Sequence, residues 1–425
     1  MLEFLIKIIV SVATVSVFVY FFYATLIIFL PAKKSEYITN DIKELEYYFL
    51  IPCLNEEKVI ENSLKAIMNL KYRNFKVFVI DDASTDNTVK VVTEMKLDKV
   101  EIISRCKPNA QKGKGEALNH AYRIIRERVI ETGKNPNDVI LAVVDGDGRP
   151  SKELLNEANL AFNDPAVGAA QARIKIINSK ELMPLLQDIE FYASVAAIQN
   201  SREYSQSVCL GGNGQFTRLS ALMSIGDSPW TQCLLEDFDL GLSVLLKEWK
   251  TRYIGESAVY QQGLKSIKRF VKQRSRWVQG NIQSFKRIKE INNAKHLSLV
   301  GKIDLYYFLA QPWLSLITSI NCLLCWLITI ILLFHLDFQS FFNVETNILP
   351  MVILIFLVIL PGSVWTINYC IACKKSHESY SIKNCFLAII FYPLYNLLSL
   401  PSVWLAFYHQ VRRKYGWIKT DRLEE

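Results

Sequence analysis

Between Phe4 and Leu30 the chain carries a single charge, Lys7, and Lys33 and Lys34 follow at once. About 20 apolar residues suffice to cross the hydrocarbon core of a bilayer, so part of this chain is expected to leave water. Three further apolar stretches lie toward the other end, Leu305 to Phe334, Ile348 to Cys373 and Cys385 to Tyr408. The whole sequence is 51% hydrophobic yet 21% charged, so the two residue classes must be segregated. A charged, water-soluble middle joined to membrane segments satisfies that requirement. The opening run exceeds the ~7–15 residues of a signal-peptide core and no small-residue cleavage site closes it, so residues 1–34 are expected to remain as an anchor.

Basic residues orient the spans. Lys33 and Lys34 abut the first, the loop His335 to Pro350 contains no Lys or Arg, and Lys374, Lys375 and Lys383 return. By the positive-inside rule this predicts a multi-pass cell-membrane protein with its globular part in the cytoplasm. A basic tail, 411–425, would end outside if Cys385 to Tyr408 simply spanned. Pro393 and Pro401 allow a re-entrant or interfacial course instead, which keeps the tail cytoplasmic. Nine scattered cysteines, mostly in apolar runs, indicate a reducing compartment without a disulfide framework. The net charge of +8 gathers beside the membrane segments, favouring anionic lipid and phosphate-bearing substrates over nucleic acid.

The middle alternates apolar strands with helices. Strands are expected at 47–52, 76–80, 100–104 and 139–144, the last running into Asp145-Gly146-Asp147-Gly148. Such alternation predicts an α/β fold with a doubly wound, mostly parallel sheet, whose strand-to-helix loops share one edge. That edge collects Asp81 and Asp82, Lys114 between two glycines, and the Asp145 and Asp147 carboxylates. A carboxylate can accept from a base or ribose, a lysine at a helix N-terminus can neutralise a diphosphate, and a carboxylate pair can hold a hard cation shared with phosphates. Each element alone also fits an ordinary polar turn or helix start. No Gly-x-Gly-x-x-Gly follows the first strand and no Gly-x-x-x-x-Gly-Lys-Ser/Thr occurs, which disfavours dinucleotide dehydrogenases and P-loop ATPases.

Further along, Gly211-Gly212-Asn213-Gly214 forms a turn that another molecule can approach closely. Glu236, Asp237 and Asp239 sit at the mouth of a helix, where one of them could act as a general base. Gln273-Arg274-Ser275-Arg276-Trp277 lies in a basic amphipathic helix, 264–291, with Lys265, Lys268, Arg269, Lys272, Arg274 and Arg276 available to lipid headgroups.

In this order the motifs resemble those of membrane-integrated family 2 glycosyltransferases of the processive type, the group containing bacterial cellulose, hyaluronan and poly-N-acetylglucosamine synthases. The resemblance covers residues 47–280 and the flanking membrane segments. It implies a GT-A Rossmann-like domain over 45–262, interfacial helices over 263–303 and a transmembrane region over 304–410. Carried over by residue, it makes Asp81, Asp82, Lys114, Asp145 and Arg276 donor-binding, and Asp147 the ligand of Mg²⁺ or Mn²⁺. It makes Asp237 the catalytic base, and Gln273, Trp277, Gly212 and Asn213 acceptor-binding. The implied reaction moves a sugar from a UDP-sugar, with inversion, to a growing β-linked glycan. A glycolipid synthase adding one sugar to diacylglycerol or a polyprenyl carrier is the alternative. One anchor and about three later segments are few for a chain-translocating channel, which leaves room for a small membrane partner subunit.

Overall fold

The computed structural model describes residues 42–335, 344–376 and 378–414, together with residues 11, 15, 27 and 30 of the first apolar run. The anchor expected over 1–34, apart from those four residues, and the tail beyond residue 414 lie outside the described residues.

Eight strands make one sheet: β1 (Glu46–Cys53), β2 (Phe75–Asp81), β3 (Val100–Ser104), β4 (Val139–Val143), β5 (Arg149–Pro150), β6 (Val167–Ile176), β7 (Gln215–Arg218) and β8 (Lys250–Gln261). Because side chains alternate along a strand, β1 sends Tyr47, Phe49 and Ile51 into one core and Tyr48 and Leu50 into the other. β4 likewise divides Ile140 and Ala142 from Val139, Leu141 and Val143. Both faces therefore need helices. On the first, α1 (Ile60–Met68) contributes Ile60, Leu64 and Ile67 at helical spacing. After the short α2 (Thr88–Glu94), α3 (Lys114–Glu131) covers the second face with Leu118, Ala121, Tyr122 and Ile125. Each large apolar side chain fully buried in these layers contributes roughly 1.5–3 kcal/mol.

The strand order is β3-β2-β1-β4-β7-β6-β8-β5. β3, β2, β1 and β4 run parallel, as the strand and helix alternation predicts. β7 then pairs antiparallel with both β4 and β6, β6 pairs parallel with β8, and β5 antiparallel with β8, so the sheet is mostly parallel with β7 and β5 running against the other six strands. The reversal follows from the chain between β6 and β7. α4 (Leu154–Ala161) precedes β6; after β6 the chain passes through α5 (Leu182–Ile189), a π-helical turn over Glu190–Val195 and α6 (Ala196–Ser205), and re-enters the sheet through the Gly-rich turn. β1 continues to β2 on one side while β4 adds on the other, so the order reverses between β1 and β4. Ligands of open α/β sheets bind beyond the strand ends at such a point.

After β7 come α7 (Leu219–Ile225) and α8 (Glu236–Leu246), and after β8 come α9 (Ile267–Ser284) and α10 (Ile288–Asn293). The apolar C-terminal sequence is helical: α11 (Leu299–His335), α12 (Val344–Lys375), α13 (Ile382–Leu397) and α14 (Ser399–Val411). Pro401 has no N–H for the Leu397 carbonyl, which interrupts the helix at Leu398. The Leu398 N–H still reaches the Leu394 carbonyl at 3.2 Å, so the path continues. Ile382–Val411 is 30 residues long and, among the described residues, is the one stretch meeting both length and apolarity for crossing a membrane. Pro393 and Pro401 both lie within this helical stretch.

Packing also revises the amphipathic helix. Lys265, Lys268, Arg269 and Lys272 are exposed as expected, but Arg274 and Arg276 turn inward. Arg274 forms a two-pronged ion pair with Glu190 of the π-helical turn at 2.6 and 2.7 Å, and α9 lies against α11 and α14.

Candidate active site

Beyond the ends of β1 and β4 opens a cleft of about 380 Å³. Lys114 is its centre. Gly113, at φ 112°, makes the turn before α3 in a conformation that side chains with a Cβ rarely adopt. Lys114 then points inward, with Nζ 2.6 Å from Asp145 Oδ1 and 2.5 Å from the Gly212 carbonyl oxygen. Lys112, its neighbour in the motif, stays exposed. Burial opposes the Lys114 charge, but Asp145, Glu236 and Asp237 outweigh it and hold its pKa above the ordinary value.

The Gly-rich turn faces this lysine. Gly212 approaches so closely that a Cβ there would lie 3.2 Å from both Lys114 Nζ and Asp237 Oδ2. Gln171 of β6 fixes the turn: its Oε1 accepts from the Gly211 N–H at 2.7 Å and its Nε2 donates to the Asn213 carbonyl at 2.9 Å. The Asn213 side chain lines the cleft but is already engaged, accepting from the Asp145 N–H at 3.2 Å and donating to Gln261 at 2.9 Å. Asn213 thus ties the end of β4 to β8.

The three acids at the start of α8 have separate environments. Asp239 is 1% exposed and faces away from the cleft, accepting from Arg287 at 2.7 Å and Thr231 Oγ1 at 2.6 Å. Glu236 and Asp237 line the cleft. Asp237 Oδ1 accepts from the Phe238 N–H at 2.8 Å. Burial, aided by the Glu236 carboxylate, pushes its pKa up to about 7, against the Phe238 N–H, Lys114 and Arg276, which favour the anion. A carboxylate poised there exchanges protons readily near neutral pH.

α9 brings Gln273, Arg276 and Trp277 to the same cleft, with Arg276 Nη1 3.2 Å from the Leu234 carbonyl. Asp82 lines it too, held by the buried Arg105 guanidinium, which also donates to the Asn109 carbonyl at 2.6 Å. Asp81 and Asp147 stand just behind the lining. Asp81 accepts from the Ser84 N–H at 3.1 Å, and Asp147, 1% exposed, accepts from the Gln262 N–H at 3.1 Å.

Among the described residues, no three His, Cys, Asp or Glu side chains gather in a metal-holding group. The donors at the end of β4 are carboxylate oxygens one residue apart. That chemistry fits Mg²⁺ or Mn²⁺, which are held by one or two carboxylates together with substrate phosphates.

Residues 45–280 match the family described as "Glycosyltransferase like family 2". The chain belongs to this family. Its curated relatives include the β-monoglucosyldiacylglycerol synthase of a Nostoc species, 31% identical over 56% of this chain and 49% of that protein. A probable glycosyltransferase of Bacillus subtilis is 25% identical over 91% of this chain and 89% of that one. The poly-β-1,6-N-acetyl-D-glucosamine synthase of Staphylococcus aureus is 24% identical over 62% and 60%. The chain spans about half the length of the first curated relatives it matches. Among solved structures, a Pyrobaculum calidifontis mannosyltransferase in complex with GDP-Man and Mn²⁺ shares the fold, with a TM-score of 0.58 and 17% identity over 97% of this chain and 100% of that one.

Several contributors to this family 2 site escape the motifs. Arg105 follows directly on β3 and could have been found by the strand-end rule that found Asp81 and Asp145. Gln171 announces itself as an amide inside the apolar run Val167–Ala172, where a buried polar group needs partners. Glu56 follows β1 and packs over Gly146, where a Cβ would come within 2.8 Å of its Cγ. Phe308 also lines the cleft, although it belongs to an apolar helix. No sequence pattern separates it from its neighbours.

Proposed function

We propose that the chain is an inverting, UDP-sugar-dependent hexosyltransferase acting at the cytoplasmic face of the cell membrane. The observation that carries this reading is Asp237: a buried carboxyl with its pKa near 7, in one cleft with Lys114 and Arg276. Asp82 and Asp81 would take the nucleoside, with Asp145, Lys114 and Arg276 on the diphosphate. Asp147 would hold Mg²⁺ or Mn²⁺, which supplies positive charge to the phosphate oxygens when bound.

Asp237 accepts the proton of the acceptor hydroxyl. The hydroxyl oxygen forms a bond to the anomeric carbon as the bond from that carbon to the diphosphate oxygen breaks. UDP departs with the electron pair, and Lys114 and Arg276 face the charge that develops on it. Attack opposite the leaving group converts an α-linked donor into a β-glycoside. Gln273 and Trp277 would hold the acceptor, the indole offering a flat apolar surface to a sugar ring.

The acceptor is read first as a growing β-linked glycan, as the name of the Staphylococcus relative suggests. A lipid hydroxyl is the second reading. It is favoured by the diacylglycerol-glucosylating relative and by the apolar side chains of Phe191, Val195, Leu235 and Phe308 at the cleft. Membranes containing the protein, incubated with several labelled UDP-sugars, test both readings. Solvent-extractable label of small size supports glycolipid, and label of large size that resists extraction supports polymer. Release of UDP by Asp237→Asn at the wild-type rate would reject the mechanism.

A further inference from the structure

The start of α11 meets the catalytic cleft at one turn. Phe308 stacks on Phe238, with ring centroids 4.3 Å apart and planes inclined by 29°. Phe238 is the residue whose N–H holds Asp237 Oδ1. Phe238 also borders the cleft, and it packs in a small core with Leu242, Leu305 and Leu309. Two devices fix Phe308 in turn. Asp304, four residues earlier and so on the same helix face, pairs with Arg202 at 2.9 Å, and the Arg202 guanidinium lies 5.4 Å from the Phe308 ring. The Phe308 carbonyl would ordinarily accept from residue 312, but Pro312 has no N–H. Asn281 Nδ2, on the helix that carries Arg276 and Trp277, donates to that carbonyl at 2.8 Å instead.

We propose that Phe308 is a positioning residue for the transfer reaction, acting through Phe238 to set the orientation and the dry surroundings of Asp237. The apolar helix is thereby part of the active site as well as an attachment. This inference rests on the reading of Asp237 as the base. Aromatic stacking supplies a directional contact beyond simple burial, and a base displaced by about an ångström loses much of its effect. The charged or titratable groups around Asp237 are Glu236 on its own helix, Lys114 on α3, Arg276 on α9 and the Cys209 thiol. Of these, Cys209 belongs to the apolar cluster that Phe308 packs against.

The test uses the full chain in membranes and follows initial transfer rates from pH 5.5 to 9 for Phe308→Ala, Phe308→Leu and Phe308→Tyr, beside Asp237→Asn. Phe308→Ala is expected to lower kcat about tenfold with donor KM changed less than about threefold. Letting water reach Asp237 should move the rising limb of the profile toward acid by roughly half a pH unit or more. Phe308→Tyr, which keeps the ring, should restore both. Phe308→Leu keeps the apolar volume without the stack, and it decides the matter if the alanine variant does not accumulate: kcat should fall. A leucine or alanine variant with wild-type kcat and an unmoved limb overturns the inference. So does a loss that appears only as reduced folded protein and that tyrosine fails to rescue. If Asp237→Asn itself is fully active, the base assignment falls and this inference with it; if Asp237→Asn is inactive and the Phe308 variants are normal, this inference alone falls.

Discussion

Replacing Lys114 by methionine removes the cation that faces three carboxylates while keeping an unbranched side chain of similar reach. Lys114 Nζ and Asp237 Oδ2 each lie 3.2 Å from the place of a Cβ on Gly212, which puts them at most about 6.4 Å apart. At an effective dielectric of ~20, two unit charges at that distance interact by about 2.6 kcal/mol. One pKa unit corresponds to about 1.4 kcal/mol, so at that limiting separation the pair interaction is equivalent to about two units of the Asp237 pKa. Lys114 is among the weaker influences on Asp237, behind burial and Glu236, so a rise on the order of one unit is expected. The base works only when ionised, and the rising limb of kcat against pH should therefore move from about 7 toward 8. A second effect is separate: loss of a cation facing the departing diphosphate should reduce the plateau by about 10²–10³. The assay is UDP release at saturating donor across pH 6 to 9.5, with Lys114→Arg as the charge-retaining control. A limb that stays at 7 or moves toward acid would refute the electrostatic coupling, whatever happens to the plateau.

Asp147→Ala should abolish transfer and remove the dependence of UDP binding on added Mg²⁺ or Mn²⁺, as read by calorimetry with and without chelator; wild-type activity in excess chelator would contradict the assignment. Arg287→Ala leaves the Asp239 carboxylate, 1% exposed, without its guanidinium partner, which costs about 3–5 kcal/mol for a buried pair. The midpoint of thermal unfolding should drop by several degrees, and an unchanged midpoint would show that water or Thr231 suffices. Trp277→Ala should raise the acceptor KM and slow transfer while leaving UDP binding and donor hydrolysis near wild type. Loss of UDP binding in that variant would place the indole on the donor side.

The sequence by itself determined the parallel core of the sheet, because β1, β2 and β4 carry continuous apolar runs that only a doubly covered sheet can bury. It determined the site edge for the same reason. Charged residues at the ends of buried strands, Asp82 and Asp145, have nowhere to go but the loops beyond them, where Lys114 joins them. Antiparallel β7 was not legible, since a four-residue strand carries no directional signal and its orientation depends on where the helical excursion after β6 returns. Among the three acids of α8, sequence spacing could not separate roles: Asp239 is drawn to Arg287, 48 residues later, and only folding reveals that partner. The inward turn of Arg274 depends likewise on Glu190 and the π-helical turn, which bring its guanidinium into a pair that hydropathy cannot anticipate. Phe308 is the extreme case. In sequence it is one apolar residue among many on a long helix, and it reaches the cleft because Pro312 frees a carbonyl that Asn281 can bind and because Phe238 offers a ring to stack on. Local pattern fixes which residues are buried and where strands end; the pairing of groups far apart in the chain belongs to the tertiary structure, because those contacts have no period.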